Sequence, residues 1–406
     1  MRFGLSHLSR ACALLGTVAG LLGCVAQPSP YGYGGYTPPT VLQVPAGSGP
    51  QAPAVGARHI AVLLPLTGPN ADVGQSMLRA AQLALPPSGG PVLDSEDTHG
   101  SAEGAASAAR AAVAAGAAVI VGPLTAPETA AVAPIARAAG IPVLAFTSDS
   151  AQAQPGVWTL GITPAQQVRR LVVAIQGEGR SRIGAILPAN AFGDALAGGL
   201  QSAVADARLP PPLIVRQPSG ANGLNDALSQ LASTAGLHGP PGDNPAPPTP
   251  AQIDALLLGT SGEPLQQALP GLAGYQTGPD HLRLLGTALW QREAPRLFLI
   301  AGAWFAAPDP GPLHAFEQQY AARYGGPPRD LAGFAFDATA VARTVTGPDG
   351  VHPEALLRPE GFAGAEGVFV LQADGRVRRA LALFEIDRSG AHVAQPPQPP
   401  TAPAGF

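Results

Sequence analysis

The sequence predicts a parallel α/β fold, and three observations carry that prediction. From His59 onward, short apolar runs alternate with longer Ala-rich amphipathic stretches, which is typical of strand–helix–strand units. A hydrophobic content of 46% supplies enough apolar side chains for a core. The 406 residues leave room for two or three domains at about 150 residues each, and a second alternating series begins at Val157.

The first series runs as far as Phe146, and the strand Val157–Leu160 starts the second. Its apolar runs predict strands, and the amphipathic stretches between them predict helices. The predicted strands cover Ile60–Leu64, Val92–Glu96, Ala118–Val121, Ile141–Phe146 and Val157–Leu160, and two of the predicted helices cover Val73–Leu85 and Ala102–Ala115.

A helix start follows the strand that ends at Val121. Thr125 is a good N-cap, Pro127 suits the first turn and Glu128 stands at the reciprocal position of a capping box. Free backbone N–H groups would then point out of the carboxyl end of the strand, where they could dock an anion or a carbonyl group. Ordinary capping is the alternative explanation of the same residues.

The second series continues with a helix that starts at Thr163-Pro164. A Pro-rich surface loop, 238–250, interrupts it. Asp374-Gly375 is a hairpin turn between strands at 361–371 and 377–387, and 391–406 reads as a disordered tail. The remaining predicted elements are strands at Arg182–Leu187, Leu213–Val215, Ile253–Leu258, Leu282–Leu285 and Leu297–Ala301, and helices at Pro312–Tyr324 and Leu331–Thr344.

The N-terminus predicts export and lipidation. Residues 1–23 combine basic residues with an apolar run of about a dozen residues, which is typical of a signal peptide. The run ends in Leu21-Leu22-Gly23-Cys24, which resembles the bacterial lipobox, so Cys24 is the expected lipid anchor. An aspartate at position 25 would favour retention in the inner membrane. Val25 stands there instead, so we expect a periplasmic protein that is anchored in the outer membrane. Residues 24–57 form a Pro/Gly-rich tether.

Charge and composition exclude several function classes. A formal charge of −4 gives no electrostatic footprint for nucleic acid. All 23 Lys and Arg positions are arginine, which excludes P-loop, pyridoxal-phosphate and Ser-x-x-Lys chemistry. Four side chains crowd one strand end: Asp94, Glu96, Asp97 and His99. They belong either to a solvated or cleft-rim loop or to a metal site. The other histidines lack metal-ligand spacing. We expect no enzyme activity, no metal and no cofactor.

The opening of the body resembles that of a known family. Ile60-Ala-Val-Leu-Leu-Pro-Leu-Thr-Gly-Pro-Asn70, with Val119–Leu124 and Phe192-Gly193-Asp194 in the same order, is similar to type I periplasmic binding proteins of the leucine/isoleucine/valine-receptor group. The resemblance implies two Rossmann-like lobes, joined by three crossovers, that close over a ligand. The implied lobes are 58–162 plus 296–346, and 163–295 plus 347–390.

The same resemblance implies where a ligand would lie. Serine and threonine loops could hold a carboxylate, but the acidic partners of an ammonium group are missing, which disfavours a zwitterionic amino acid and leaves a small polar ligand. The cleft candidates are Thr67, Asn70, Thr125, Ala126, Ser148, Asp149, Ser150, Phe192 and Thr260.

Further motifs resemble lipoproteins that activate penicillin-binding proteins. They are Leu63–Gly68, Gly302-Ala-Trp-Phe305 and Ala321-Ala-Arg-Tyr324. The resemblance implies a peptidoglycan synthase as partner, reached by a tether of about 30 residues that could span on the order of 90 Å. The helical-repeat domain of larger members is not expected here. The alternative is the substrate-binding protein of an ABC transporter, with a permease as partner.

Overall fold

The computed structural model describes residues 59–88, 90–220, 222–237, 252–275, 277–278, 280–347, 350–398 and 400. The predicted signal peptide, Cys24, the tether and the loop 238–250 lie outside these residues. Among the described helices, none combines the length and the apolar character needed to cross a membrane.

The first lobe begins with alternating strands and helices. β1 is buried at five of its six positions, as expected of a strand with neighbours on both sides and helices on both faces. The strands are β1 (His59–Leu64), β2 (Val92–Asp97), β3 (Ala117–Val121), β4 (Val143–Ala145) and β5 (Val157–Thr159), and the helices are α1 (Ala71–Leu83), α2 (Ala102–Ala114) and α3 (Ala126–Ala138).

The second lobe repeats the alternation. Helix α4 starts with a capping box formed by Thr163 and Gln166. The helices are α4 (Pro164–Gly177), α5 (Ala191–Asp206), α6 (Gly223–Ala235) and α7 (Glu263–Ala273), and the strands are β6 (Ile183–Pro188), β7 (Leu213–Gln217), β8 (Ala255–Leu258), β9 (Arg283–Gly286) and β10 (Trp304–Ala307).

The C-terminal third contributes to both lobes. Its helices are α8 (Pro310–Tyr324), α9 (Ala332–Val345) and the short α10 (Pro353–Leu356). Its strands are β11 (Thr346–Gly347), β12 (Gly350–Val351), β13 (Phe362–Gly364), β14 (Gly367–Leu371), β15 (Val377–Arg379), β16 (Ala382–Asp387) and β17 (Gly390–Gln395).

Two main sheets organise these elements. The first is fully parallel, in the order β2-β1-β3-β4-β5, with α2 and α3 on one face and α1 and α9 on the other. The second has the order β17-β16-β10-β9-β8-β6-β7, parallel from β10 to β7, with β16 and β17 antiparallel. The chain passes between the lobes after β5, after β10 and after β15. This arrangement confirms the predicted two-lobed α/β fold with three crossovers.

The division of the chain differs from the predicted lobe boundaries. β10, placed by the prediction in 296–346 of the first lobe, pairs with β9 in the second sheet. The strands β13–β15, predicted within 347–390 of the second lobe, pack instead on the first, because Phe362 and Phe369 join the core beneath α9. The predicted turn at Asp374-Gly375 does connect two paired strands, β14 and β15.

Two further predicted segments differ from the structure. Leu297–Ala301 is not a strand, since Phe298–Ile300 form a 3₁₀ turn. Leu297 and Ile300 are 0% and 1% exposed, whereas Phe298 and Leu299 are 52% and 45% exposed, a spacing of three that suits a 3₁₀ turn and not an alternating strand. The predicted tail at 391–406 begins as β17, which pairs with β16 through residue 395 and covers its open edge.

Candidate functional site

The loop after β1 is organised by Asp97. Its carboxylate accepts hydrogen bonds from the backbone N–H of Leu66 (2.9 Å) and His99 (2.8 Å) and from the Thr67 hydroxyl (2.7 Å). Burial acts to raise the pKa of Asp97, but these hydrogen bonds outweigh it and lower the pKa overall. The Thr67 hydroxyl is therefore held by the loop itself, while Asn70 is exposed at the start of α1.

Asp94 has a partner of its own. Asp94, on the edge strand β2, has a carboxylate oxygen 2.5 Å from Nδ1 of His59 on β1. Within the described residues, no group of three or more His, Cys, Asp or Glu side chains is placed to hold a metal ion. Of these acidic residues, Asp97 organises the loop and Asp94 contacts a histidine of β1.

The N-terminus of α3 is closed by a carboxylate of the chain itself. Glu128, fully buried, accepts hydrogen bonds at Oε2 from the backbone N–H of Thr125 (2.8 Å) and from its hydroxyl (2.7 Å), and at Oε1 from the Thr98 hydroxyl (2.5 Å). Pro127 has no N–H to offer, so Ala126 keeps the first free donor of this helix in the described structure. Glu128 thus forms the capping box that the sequence predicts and takes up both donors of Thr125.

The loop after β4 uses part of its polar groups locally. Asp149 accepts from the backbone N–H of Ala151 (3.0 Å) and so caps the 3₁₀ turn that follows, and its own N–H donates to the Thr147 hydroxyl (3.0 Å). Ser148 and Ser150 are exposed, and in the described part of the chain their hydroxyls have no hydrogen-bond partner. These two hydroxyls are available to a ligand.

Ser148 lies directly at the first crossover. The backbone of Gly161 approaches the Ser148 amide so closely that a Cβ at Gly161 would stand 2.7 Å from the nitrogen. Gly161 also donates its N–H to the carbonyl of Thr147 (3.2 Å). A hydroxyl at Ser148 is thereby positioned next to the segment that joins the two lobes.

On the second lobe, Thr260 and Trp290 form a buried pair. The Thr260 hydroxyl donates to Gln217, and its carbonyl accepts from the indole N–H of Trp290 (2.9 Å). Trp290 is fully buried and lies over Gly286, where a Cβ would stand 2.2 Å from the ring. Thr260 is thus occupied by contacts within the lobe. Phe192, in the first turn of α5, packs half-buried against the core under α4 and α5.

Contacts between the lobes were not foreseen from the sequence. Arg292, in the 3₁₀ segment after β9, forms an ion pair with Asp330, just before α9. The Gln166 side chain on α4 donates to the carbonyl of Val377 on β15. Residues so far apart in the chain carry no local signal of pairing, so sequence patterns alone could not reveal these contacts.

A buried ionic cluster lies close to the first and third crossovers. Asp337 on α9 accepts the backbone N–H groups of Ala365 (2.6 Å) and Glu366 (3.0 Å). Arg379 donates to the carbonyls of Glu366 (2.7 Å) and Leu160 (3.0 Å). Burial raises the pKa of Asp337 to about 6 and that of Glu366 to about 7, and it lowers the pKa of Arg379. The cluster holds the β13–β15 sheet against α9 and the crossover.

The predicted cleft residues therefore fall into two groups. Thr67, Asn70, Thr125, Ala126, Ser148, Asp149 and Ser150 follow the neighbouring strands β1, β3 and β4, and so meet at one edge of the first sheet. Phe192 and Thr260 follow the neighbouring strands β6 and β8 of the second sheet. That all nine line a single ligand site stays a prediction.

Comparison with known proteins decides the family. The profile of the periplasmic binding proteins matches residues 58–391, most of the chain. The chain belongs to the periplasmic binding protein family. Membership implies a binding protein of the periplasm, related to the leucine-binding group that the opening motif resembles. No curated protein sequence matches the chain significantly.

Solved structures with the same fold come from two kinds of protein. A putative branched-chain amino acid ABC transporter protein of Rhodospirillum rubrum has a TM-score of 0.69 at 19% identity, over 83% of this chain and 99% of its own. The leucine-binding protein LivK of Thermotoga maritima has a TM-score of 0.54 at 17% identity, over 84% and 99%. Full-length LpoA of Haemophilus influenzae has a TM-score of 0.62 at 16% identity, over 85% of this chain and 60% of its own. At these identities the likeness establishes the fold.

Proposed function

We propose that this protein is a non-enzymatic lipoprotein whose receptor-like domain activates a peptidoglycan synthase, a penicillin-binding protein. The observation that carries the proposal is the carboxylate of Glu128, which already fills the donor set at the start of α3. In a receptor for amino acids, the hydroxyl loops after the third and fourth strands, here with Thr125, Ser148 and Ser150, would hold the ligand carboxylate, as the family resemblance implies.

Electrostatics opposes a second carboxylate at this place. Two like charges about 4 Å apart repel by about 4 kcal/mol at an effective dielectric constant of about 20. The one N–H that Ala126 retains would return only about 1.5–3 kcal/mol as a hydrogen bond to a charged group. A ligand carboxylate therefore loses more against Glu128 than it gains from the helix terminus.

The second lobe offers no acidic counterpart for an ammonium group at the predicted position. The segment after β9 presents Trp290, which is turned into the core and bonded to the Thr260 carbonyl. An unpaired ammonium group there would be costly to desolvate. A zwitterionic ligand thus lacks an acidic partner for its ammonium group and meets the Glu128 carboxylate next to Thr125, which supports a domain that contacts a protein partner instead.

The sequence outside the described residues supports the same role. Lipidation at Cys24 would anchor the chain in the outer membrane, and the tether 24–57 would let the body reach toward the cell wall. The sequence resemblance to activators of penicillin-binding proteins, together with the structural likeness to LpoA over 85% of this chain, favours a synthase as the partner.

A second candidate is the substrate-binding protein of an ABC transporter. Its support is the extent of the match, since the chain covers 99% of the R. rubrum and T. maritima structures but 60% of LpoA. The free hydroxyls of Ser148 and Ser150 and the N–H of Ala126 could serve a small, uncharged polar ligand, and a permease would be the partner.

One experiment separates the two candidates. The full chain, solubilised in detergent, is tested for binding to a purified bifunctional synthase and for its effect on the synthase rate, alongside thermal-shift measurements with amino acids, amides, nucleobases and muropeptides. Saturable binding that raises the synthase rate, without a small-molecule shift, supports the activator. A shift of several degrees with one small molecule, lost in Ser148→Ala and without synthase binding, supports the transport receptor and refutes the activator.

A further inference from the structure

An exposed apolar pair lies on the second lobe, in the segment between β9 and β10. Phe298 and Leu299 are 52% and 45% exposed, whereas Leu297 and Ile300 on either side are buried in the core under α7. Because the buried residues are three apart in a 3₁₀ turn, the exposed pair cannot turn inward without pulling them out of the core. Among the described residues, Phe298 is the one exposed aromatic side chain. Adjacent large apolar groups that are held outward are typical of a contact surface.

Two arginines border this apolar pair. Arg296 lies in the same segment, two positions before Phe298, and is exposed. Arg388 is exposed in the turn between β16 and β17. That turn packs beside the segment, since the Pro295 ring lies 3.6 Å from the position that a Cβ would take at Gly390.

Neither bordering arginine is neutralised. The carboxylates of the same two segments are engaged elsewhere, because Glu293 accepts the backbone N–H of Gly262 (2.8 Å) and Asp387 lies 3.0 Å from Nδ1 of His392. In the described part of the chain, neither of the two arginines forms an ion pair with a carboxylate. The border is therefore positive, on a chain with a formal charge of −4. A partner surface that fits it has an apolar centre and carboxylates at its rim.

The apolar pair lies at the end of the body opposite to the point where the described chain begins. His59 starts β1 at the amino end of the first sheet, and Phe298–Ile300 stand just before β10, at the amino end of the second. The carboxyl ends of both sheets face the crossovers, because the chain leaves β5 and β10 there to change lobes. A partner at the apolar pair is thus met on the side away from the predicted lipid anchor, which favours a protein over the anchoring membrane.

We propose that Pro295, Arg296, Phe298, Leu299 and Arg388 form the surface on which a peptidoglycan synthase docks, through an apolar groove bordered by carboxylates. This inference rests on the proposed activator function and adds the face through which the activator acts. The apolar pair supplies the buried centre of the contact, where a few large side chains carry most of the binding energy. The arginines orient the acidic rim and speed association. A stable dimer of this chain would need a larger and more apolar face, which disfavours a second copy as the partner.

The test measures binding of the full chain, solubilised in detergent, to a purified bifunctional synthase by surface plasmon resonance. Phe298→Ser combined with Leu299→Ser should raise the Kd at least about tenfold, as expected at the centre of an interface. Arg296→Gln should raise it about threefold and make the association rate less sensitive to salt. The matched control is Val173→Ser, since Val173 is 45% exposed on α4, across the second sheet, and it should leave the Kd unchanged. Thermal unfolding confirms that each variant folds.

The outcomes separate this inference from the proposed function. If the unaltered chain does not bind the synthase, the activator function fails and the docking surface fails with it. If it binds and the double variant binds equally well, the activator function stands and the docking surface is refuted. Self-association of the unaltered chain in sedimentation velocity that the double variant abolishes would assign the surface to a second copy. Protection of residues 294–301 from hydrogen exchange by vesicles of phosphatidylethanolamine and phosphatidylglycerol, without the synthase, would assign it to a membrane. Either of these last two results overturns the proposal.

Discussion

Replacing Glu128 with alanine should destabilise the first lobe more than any ordinary helix cap. The change leaves three donors without their acceptor: the Thr125 N–H, the Thr125 hydroxyl and the Thr98 hydroxyl. Each buried donor left unsatisfied costs about 1–3 kcal/mol, and water entering the space returns part of this. We expect a loss of about 3–5 kcal/mol in the free energy of unfolding, which corresponds to a decrease in Tm of roughly 6–20 °C for a lobe of this size.

The measurement is denaturant and thermal unfolding followed by circular dichroism, with Glu103→Ala as the control. Glu103 also lies in the first turn of a helix, α2, but it is exposed, so its loss should cost about 0.3–1 kcal/mol. A loss below about 1 kcal/mol for Glu128→Ala would refute the claim that its carboxylate completes the α3 terminus.

The same variant tests whether Glu128 occupies an anion site. With the carboxylate removed, acetate should bind in its place and restore stability, by about 1.4 kcal/mol at ten times its Kd. The unaltered chain should show no such gain, because its site is filled. Equal stabilisation of both proteins by acetate would mean that the anion binds elsewhere, and the argument against a ligand carboxylate would fail.

Three other predictions concern stability. Burial raises the pKa values of Asp337 and Glu366, so the free energy of unfolding should fall as pH rises from about 4 to 7. The variant Asp337→Asn should flatten that pH dependence in urea titrations. An unchanged pH profile in this variant would contradict the prediction. Trp290→Ala should cost about 3–5 kcal/mol in chemical unfolding, and a cost below about 1 kcal/mol would show that the indole is not a core group. Arg292→Gln should cost less than about 1 kcal/mol, because both Arg292 and Asp330 are exposed; a larger loss would make this ion pair a principal interlobe contact.

Local signals explain how much of the fold could be predicted. The apolar run of β1, the capping residues Thr125 and Glu128 and the turn at Asp374-Gly375 act through neighbours in the chain, and the structure has each of them. Leu297–Ala301 looks equally apolar but folds as a turn, because the burial of two residues three apart depends on the lobe around them. Partition of the C-terminal strands between the lobes depends on distant contacts in the same way.

The candidate site shows the same limit. Sequence patterns placed polar residues at the ends of the right strands, and left open whether Thr125 caps its helix or receives an anion. Both interpretations use the same local residues. What separates them is Thr98, 30 positions from Glu128, whose hydroxyl completes the set of donors around that carboxylate. No pattern within the helix start contains that information.

One interlobe contact and one buried ionic cluster lie near the crossovers. Gln166 on α4 of the second lobe reaches the carbonyl of Val377 on β15, which packs on the first lobe, and Arg379 reaches the Leu160 carbonyl within the first lobe. Arg379 is buried with Asp337 and Glu366, so breaking its contacts would expose an ionic cluster and not a single surface pair. These contacts brace the third crossover, which follows β15. A persistent surface suits recognition of a protein partner, because it need not be ordered at the moment of binding.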